Sequence, residues 1–193
     1  RSASRTIEVQ VDKNAALYYY PQPVIPFAQS AFDSKMTIHL EDETSKLFLL
    51  EIISCGRNAH EERFQYRRFS SKVLLYRGEK LIYRDNTRYE PGKMPMEGIG
   101  LYEGFTHMAN LFLSKLCDRG DADGLDRTSE LKEKIWQILD EDSEVDGGVT
   151  RLTTGDLALR IFGHRAQKLQ QIAEKIKEIY TSCQINHKSV MNE

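Results

Sequence analysis

The chain has 193 residues and a formal net charge of −2, from 27 Lys plus Arg against 29 Asp plus Glu. This length is enough to bury a core as one large domain or two small ones, and so balanced a charge favours neither nucleic acid nor an anionic membrane as a partner. Three cysteines without CxxC spacing argue against a disulfide framework and a structural zinc site, and they fit a reducing cytoplasm.

The first ninety residues show the patterns that are typical of strands. Ile7, Val9 and Val11 alternate with polar neighbours, which predicts a strand over 6–11 with one buried face. Further strands, separated by acidic, asparagine or glycine-containing turns, are predicted at 17–20, 35–40, 45–53, 64–76 and 80–85. Residues 1–92 are therefore predicted to be an all-β region.

The character of the sequence changes after Pro91-Gly92, where we place a structural boundary. The apolar spacing of 103–116 fits a strand or a helix, and we favour a strand. The polar, glycine-containing segment 117–126 is predicted to be a loop that is mobile or disordered.

Two helices and a hairpin are predicted in the rest of the chain. Thr128 or Ser129 is expected to cap the first helix, whose apolar stripe should pack on a sheet. A hairpin over 149–162 precedes a second amphipathic helix over 169–183, and 186–193 is expected to be a frayed tail.

Together these elements predict a β-rich α+β fold. A stacked or helically wound β-sheet region over 1–92 is followed by a small two-layer β-α-β-β-α region over 93–185, which packs on it. No apolar run approaches the roughly 18 residues that a membrane span requires.

Signatures of catalysis are missing from the sequence. It contains no Gly-x-Ser-x-Gly nucleophile turn, no phosphate-binding loop and no His-Glu-x-x-His motif. The one local grouping of possible ligands is Cys55, His60, Glu61 and Glu62, which we interpret as a surface turn, with metal contact as the alternative. An enzyme of unknown type, resting on Cys55, His60 and Glu62, is the least favoured hypothesis.

Two glutamates raise the question of how a buried carboxylate is compensated. Glu62 ends a turn in which Arg57 or Arg63 could pair with it. Glu51 lies within the apolar strand 45–53 and shares a face with Leu49 and Ile53, so its burial requires compensation by water, a cation or a basic partner.

Three charged residues in the later strands have simpler interpretations. Asp156 is assigned to a hairpin turn, and Asp85 is assigned to a solvated turn with a functional role left open. Arg160 interrupts the last apolar strand and is expected to pair with a helix carboxylate such as Glu174 or Glu178.

Three segments in a fixed order carry a family pattern. The first is 20–30, whose three prolines require an extended edge or a loop; the others are 51–64, with a Gly-Arg turn before Glu62, and 156–162, which precedes an amphipathic helix. Their motif residues are Pro21, Pro23, Ile25, Pro26, Phe27, Gly56, Arg57 and Arg160. Together these segments resemble the UreD/UreH family of urease accessory proteins, although Tyr18 and Glu61 stand where relatives usually carry glutamate and glycine.

The resemblance implies a cytoplasmic, non-enzymatic chaperone for urease maturation. Such a protein binds apo-urease, recruits UreF-type and UreG-type accessory proteins and guides nickel through an internal passage, with Ni²⁺ bound only transiently and no tightly bound cofactor. It implies Glu62, then Glu51, as residues lining the passage, with His60 as a further candidate. The alternative is a protein-protein interaction scaffold without direct nickel contact. The resemblance also implies that an N-terminal β-rich part of the native protein is absent from this sequence.

Overall fold

A computed structural model of the protein describes residues 2–116 and 126–189, with side chains described up to Gln184. The elements are β1 (Ser2–Val11), β2 (Ala16–Tyr19), β3 (Ala31–Leu40), β4 (Lys46–Ser54), a 3-10 turn (Asn58–His60), β5 (Arg68–Arg77), β6 (Lys80–Tyr89), β7 (His107–Leu113), α1 (Arg127–Asp140), β8 (Val145–Arg151), β9 (Leu157–Gly163) and α2 (Ala166–Ser189). The segment 103–116 therefore contains a strand, as predicted. The loop predicted at 117–126 lies outside the described residues except for Asp126.

The chain winds between two stacked sheets. Sheet 1 has the strand order β1-β3-β5-β6, and sheet 2 has the order β2-β4-β7-β9-β8. Consecutive strands from β1 to β5 lie alternately in sheet 1 and sheet 2. Within the sheets, β1 pairs with β3, β2 with β4 and β3 with β5, all in parallel. The later pairs are antiparallel. The predicted β-rich α+β fold is confirmed.

The two sides of sheet 2 bury different layers, because successive side chains of a strand point to opposite faces. On β4, Phe48, Leu50 and Ile52 belong to the core that sheet 2 shares with the apolar stripes of α1 and α2. Leu47 and Leu49 point the other way, into a core shared with sheet 1. Each fully buried Leu, Ile or Phe contributes about 1.5–3 kcal/mol, so this alternation fixes the register of β4 in the centre of the fold.

The boundary predicted near residue 92 falls between β6 and β7. Sheet 2 takes β2 and β4 from before that point and β7, β8 and β9 from after it. The two predicted regions thus share a sheet, and their division into separate units stays a prediction.

Both helices differ at one end from the sequence prediction. The cap of α1 is Asp126, whose Oδ1 accepts a hydrogen bond from Ser129 N at 3.1 Å, so the assignment to Thr128 or Ser129 was wrong. α2 continues to Ser189, through part of the tail predicted at 186–193. Its last turns contain neither Gly nor Pro, so nothing in the local sequence stops the helix.

Asp156 joins the two sheets at one end of the sandwich. Its fully buried carboxylate accepts hydrogen bonds from Arg77 Nη2 at 2.7 Å, Lys115 N at 2.9 Å and Thr154 Oγ1 at 2.6 Å. Arg77 ends β5 in sheet 1, whereas Asp156 directly precedes β9 in sheet 2. The interpretation of Asp156 as only a turn residue was wrong, because its partner is remote in sequence.

Candidate functional site

A row of polar side chains divides the apolar space between the sheets. The row contains one residue from each of four strands of sheet 1 and one from each of three strands of sheet 2, and within each sheet these residues lie directly opposite one another on neighbouring strands. The residues are Arg5, Ser34, Ser71 and Thr87 on sheet 1 and Glu51, Asn110 and Arg160 on sheet 2, with Asp85 beside Thr87. We call these residues the inter-sheet belt; one apolar core lies on each side of it.

Glu51 anchors one half of the belt. Its Oε1 lies 3.6 Å from Arg5 Nη2, and its Oε2 accepts a hydrogen bond from Ser71 Oγ at 3.4 Å. Arg5 is also bound to Ser34 Oγ, at 3.2 Å from Nη2. Only 15% of the Glu51 side chain is exposed. Burial raises the pKa of Glu51 above its ordinary value, whereas the charge of Arg5 acts in the opposite direction. The ionised carboxylate is therefore only partly compensated.

Asp85 and Arg160 form the other half. Arg160 donates from Nε to Asn110 Oδ1 at 2.9 Å and from Nη2 to Asp85 Oδ1 at 3.1 Å. Thr87 Oγ1 donates to the second oxygen of Asp85 at 2.9 Å. Two sequence interpretations were wrong here, since Asp85 lies inside β6 rather than in a solvated turn and Arg160 pairs with Asp85 rather than with a helix carboxylate. Leu159 and Ile161 face the helices, so Arg160 must point toward sheet 1.

The belt lines two cavities that share one residue. The inner cavity, of about 20 Å³, is lined by Glu51, Ser71, Thr87 and Asn110 among others. The edge cavity, of about 350 Å³, lies beside β8 and β9 and includes Asn110 and Arg160 in its lining. A volume of 20 Å³ has room for about one water molecule or a bare ion. Asn110 thus lies between a small interior cavity and a larger opening at the sheet edge.

The proline segment and the Gly-Arg turn pack together into what we call the proline-turn clamp, residues 24–28 and 53–62. Val24 makes an isolated parallel bridge to Ile53, and the rest of the proline segment is irregular, which agrees with the predicted extended edge or loop. The Arg57 guanidinium covers the Phe27 ring at 4.4 Å. Gly56 is required because its φ is +137° and a Cβ there would lie 1.9 Å from the backbone oxygen of Glu62.

Glu62 holds the clamp closed. Its Oε2 accepts hydrogen bonds from Arg57 Nε at 2.8 Å and from Ala28 N at 3.1 Å. These hydrogen bonds hold the pKa of Glu62 below its ordinary value. Arg63, the other partner considered for Glu62, pairs with Glu97 instead. Glu62 is thus an ionised, compensated carboxylate.

The remaining residues of the predicted ligand grouping lie in different environments, although His60 is close enough to Glu62 for its charge to help lower the pKa of that carboxyl. Cys55 is fully buried, whereas His60 and Glu61 are exposed in and after the 3-10 turn. Within residues 2–116 and 126–189, no three His, Cys, Asp or Glu side chains are arranged to hold a metal ion. Nickel contact by Glu62 or His60 stays a prediction.

Most of the belt was missed by the sequence reasoning, although a signal for it exists. Along the inward face of a strand, a single polar residue interrupts the apolar row: Ser34 between Phe32 and Met36, Ser71 between Phe69 and Val73, and Asn110 between Met108 and Phe112. The same interruption drew attention to Glu51. Only the register between strands shows that these interruptions lie at one level.

Comparison with protein families supplies an independent finding. The family model described as UreD urease accessory protein matches residues 1–192. Neither helix in the described part of the chain combines the length and apolar character needed to cross a membrane.

Individual relatives agree with the family match. A urease accessory protein UreH of Helicobacter pylori (strain J99) is 32% identical over 179 residues, which are 93% of this chain and 63% of the relative. A urease accessory protein UreD of Acetivibrio thermocellus is 33% identical over 167 residues, or 86% of this chain and 59% of the relative. A UreD of Haemophilus influenzae (strain PittGG) is 28% identical over 189 residues. The chain thus spans about three fifths of the length of these first two relatives.

Proposed function

Since the chain belongs to the UreD family of urease accessory proteins, we propose that it acts in urease maturation as a non-catalytic chaperone that passes nickel along the inter-sheet belt. The observation that carries this proposal is Glu51, a carboxylate between two sheets that borders a cavity large enough for one ion or water. Arg5 compensates this buried charge only in part, and a passing cation would supply further compensation.

The chemistry of the belt suits transient contact with Ni²⁺. The oxygen atoms of Glu51, Asp85, Asn110, Ser71 and Thr87 are ligands that a divalent cation accepts, but a borderline ion such as Ni²⁺ binds more tightly to imidazole and thiolate. The belt contains neither. Nickel would therefore be held weakly enough to move on, as delivery requires.

The partners follow from the family rather than from the geometry. We propose that the complete protein binds apo-urease and assembles with UreF-type and UreG-type accessory proteins in the cytoplasm. The matched relatives carry the name urease accessory protein, which supports a role in maturation.

Glu62 and His60 remain candidate residues for transient contact with nickel. Glu62 is held by Arg57 and Ala28, so its effect on nickel transfer would combine any direct contact with the shape of the clamp. Replacement of Glu62 by alanine is expected to lower nickel-dependent urease activation while assembly with the partners persists.

An interaction scaffold without nickel contact is the second candidate. It is favoured by exposed apolar side chains on the proline segment, where Tyr20, Ile25 and Phe27 are each about half exposed. Under this hypothesis, changes on that surface abolish activation through loss of partner binding, whereas neutralisation of Glu51 has no effect.

The test compares variants of the complete protein in urease-expressing cells. The substitutions Glu51→Gln and Glu8→Gln remove the same charge, but Glu8 is exposed on β1 outside the belt. We expect Glu51→Gln to lower nickel-dependent activation while affinity pull-down from nickel-starved cells still recovers apo-urease and the accessory partners. Full activation by Glu51→Gln would contradict the passage and favour the scaffold. Recovery of neither urease nor partners by the unchanged protein would contradict the maturation role itself.

A further inference from the structure

We propose that Arg160 is a displaceable counter-cation, which occupies a cation position in the belt and keeps its affinity for Ni²⁺ low. An ion arriving from the edge cavity then takes the place of the guanidinium between Asp85 and Asn110. This inference rests on the proposed function and assigns a regulatory residue to the same site.

Two of the atoms that accept hydrogen bonds from Arg160 are oxygen atoms of the kind that can ligate a divalent cation. The Arg160 guanidinium binds a carboxylate oxygen of Asp85 at 3.1 Å and the amide oxygen of Asn110 at 2.9 Å. Both atoms are oxygen ligands, and they come from different sheets. With Arg160 in place, the side chains of the belt carry two formal positive and two negative charges, which cancel. A dication therefore meets no net attraction until one guanidinium leaves.

Arg160 is able to leave, whereas Asp85 stays. Half of the Arg160 side chain is exposed, and it lines the edge cavity. Asp85 is only 15% exposed and keeps its hydrogen bond from Thr87. Arg5, the second guanidinium of the belt, is less exposed and is also bound to Ser34. Displacement is thus easiest at the cavity end of the belt.

A glycine opposite Arg160 leaves room for this movement. Gly148 is the register partner of Arg160 on β8 and also lines the edge cavity. A Cβ built on Gly148 meets no atom within 4 Å, so the space beside the guanidinium is open. The adjacent Gly147 has no such freedom, because a Cβ there would lie 2.5 Å from the backbone oxygen of Arg160.

The electrostatic effect of Arg160 is large enough to measure. A guanidinium several ångströms from a dication, at the effective dielectric constant of about 20 that suits protein sites, lowers cation affinity by at least about tenfold. Removal of the charge should raise the affinity by that factor, and retention of the charge on another side chain should not.

The experiment measures Ni²⁺ binding to the complete protein by equilibrium dialysis. We expect Arg160→Met to bind Ni²⁺ at least about tenfold more tightly than the unchanged protein. Arg160→Lys, which keeps the positive charge, should stay near the original affinity. Arg165→Met is the matched control, since Arg165 pairs with Glu144 on the surface. Equal affinity of Arg160→Met and Arg165→Met would overturn the proposal.

A second variant keeps the result specific to the belt. Adding Asp85→Asn to Arg160→Met should remove the gain in affinity, because the released carboxylate is then missing. A gain that survives Asp85→Asn would refute displacement at this position. The binding experiment and the Glu51 activation assay are independent. If Arg160→Met does not bind Ni²⁺ more tightly, the displacement proposal fails but the result of the activation assay still stands. If Glu51→Gln activates urease fully, Arg160 could still modulate Ni²⁺ binding but would have no role in delivery. Near-ultraviolet circular dichroism confirms that each variant is folded.

Discussion

Replacement of Asp156 by alanine is expected to lower the free energy of unfolding by about 3 kcal/mol. Removing one partner of a buried ion pair typically costs about 3–5 kcal/mol, because the other charge stays buried without compensation. Here Arg77, whose side chain is 8% exposed, is left in the interior, and the part-buried hydrogen bonds from Lys115 N and Thr154 Oγ1 are also lost. Glu43 lies 3.5 Å from Arg77 Nε and compensates part of the charge, so the lower end of the range applies.

The assay is urea unfolding of the complete protein, followed by intrinsic fluorescence. With a urea slope of about 1–3 kcal/mol/M, a loss of about 3 kcal/mol moves the midpoint down by about 1 M or more. Asp33→Ala is the control, since Asp33 forms an exposed pair with Arg68 that should contribute less than about 1 kcal/mol. If the two variants shift the midpoint equally, the reasoning that Asp156 joins the sheets is refuted.

Three further predictions concern β8, the belt and the clamp. Gly147→Ala should lower the free energy of unfolding by about 1–3 kcal/mol, because the added Cβ would meet the β9 backbone. Gly148→Ala should change the free energy of unfolding by less than about 0.5 kcal/mol, because the added Cβ meets no atom within 4 Å. Equal urea midpoints for the two variants would contradict this difference. Burial raises the pKa of Glu51 above 4.5 in the folded state. Between 4.5 and the raised pKa, the folded state binds more protons than the unfolded state, so the free energy of unfolding falls as the pH rises. Glu51→Gln should therefore gain stability relative to the unchanged protein as the pH rises above 4.5, and a difference in urea midpoints that does not change with pH would contradict the burial of an ionised carboxylate. Glu62→Gln should speed hydrogen exchange at the Ala28 amide, which donates to Glu62 Oε2, and unchanged exchange measured by NMR would show that the clamp does not depend on this carboxylate.

The sequence was sufficient to predict the strands and the orientation of Glu51. Strict alternation in β1 and the long apolar run of β4 identify elements whose type depends on local pattern. The ion-pair partners of Asp85, Arg160 and Asp156 could not be predicted in the same way, because strand register and sheet stacking bring each pair together from positions more than seventy residues apart. Asp85 was also misplaced by strand length, since β6 continues to Tyr89.

The most direct test of the nickel passage is the rate at which purified apo-urease gains nickel from the reconstituted accessory complex. Glu51→Gln and Glu8→Gln are compared in the complete protein, after co-purification has shown that both complexes are intact. The passage predicts a rate at least about tenfold lower for Glu51→Gln, the factor that about 1.4 kcal/mol of lost cation stabilisation produces. Equal rates for the two variants would contradict nickel transfer along the inter-sheet belt.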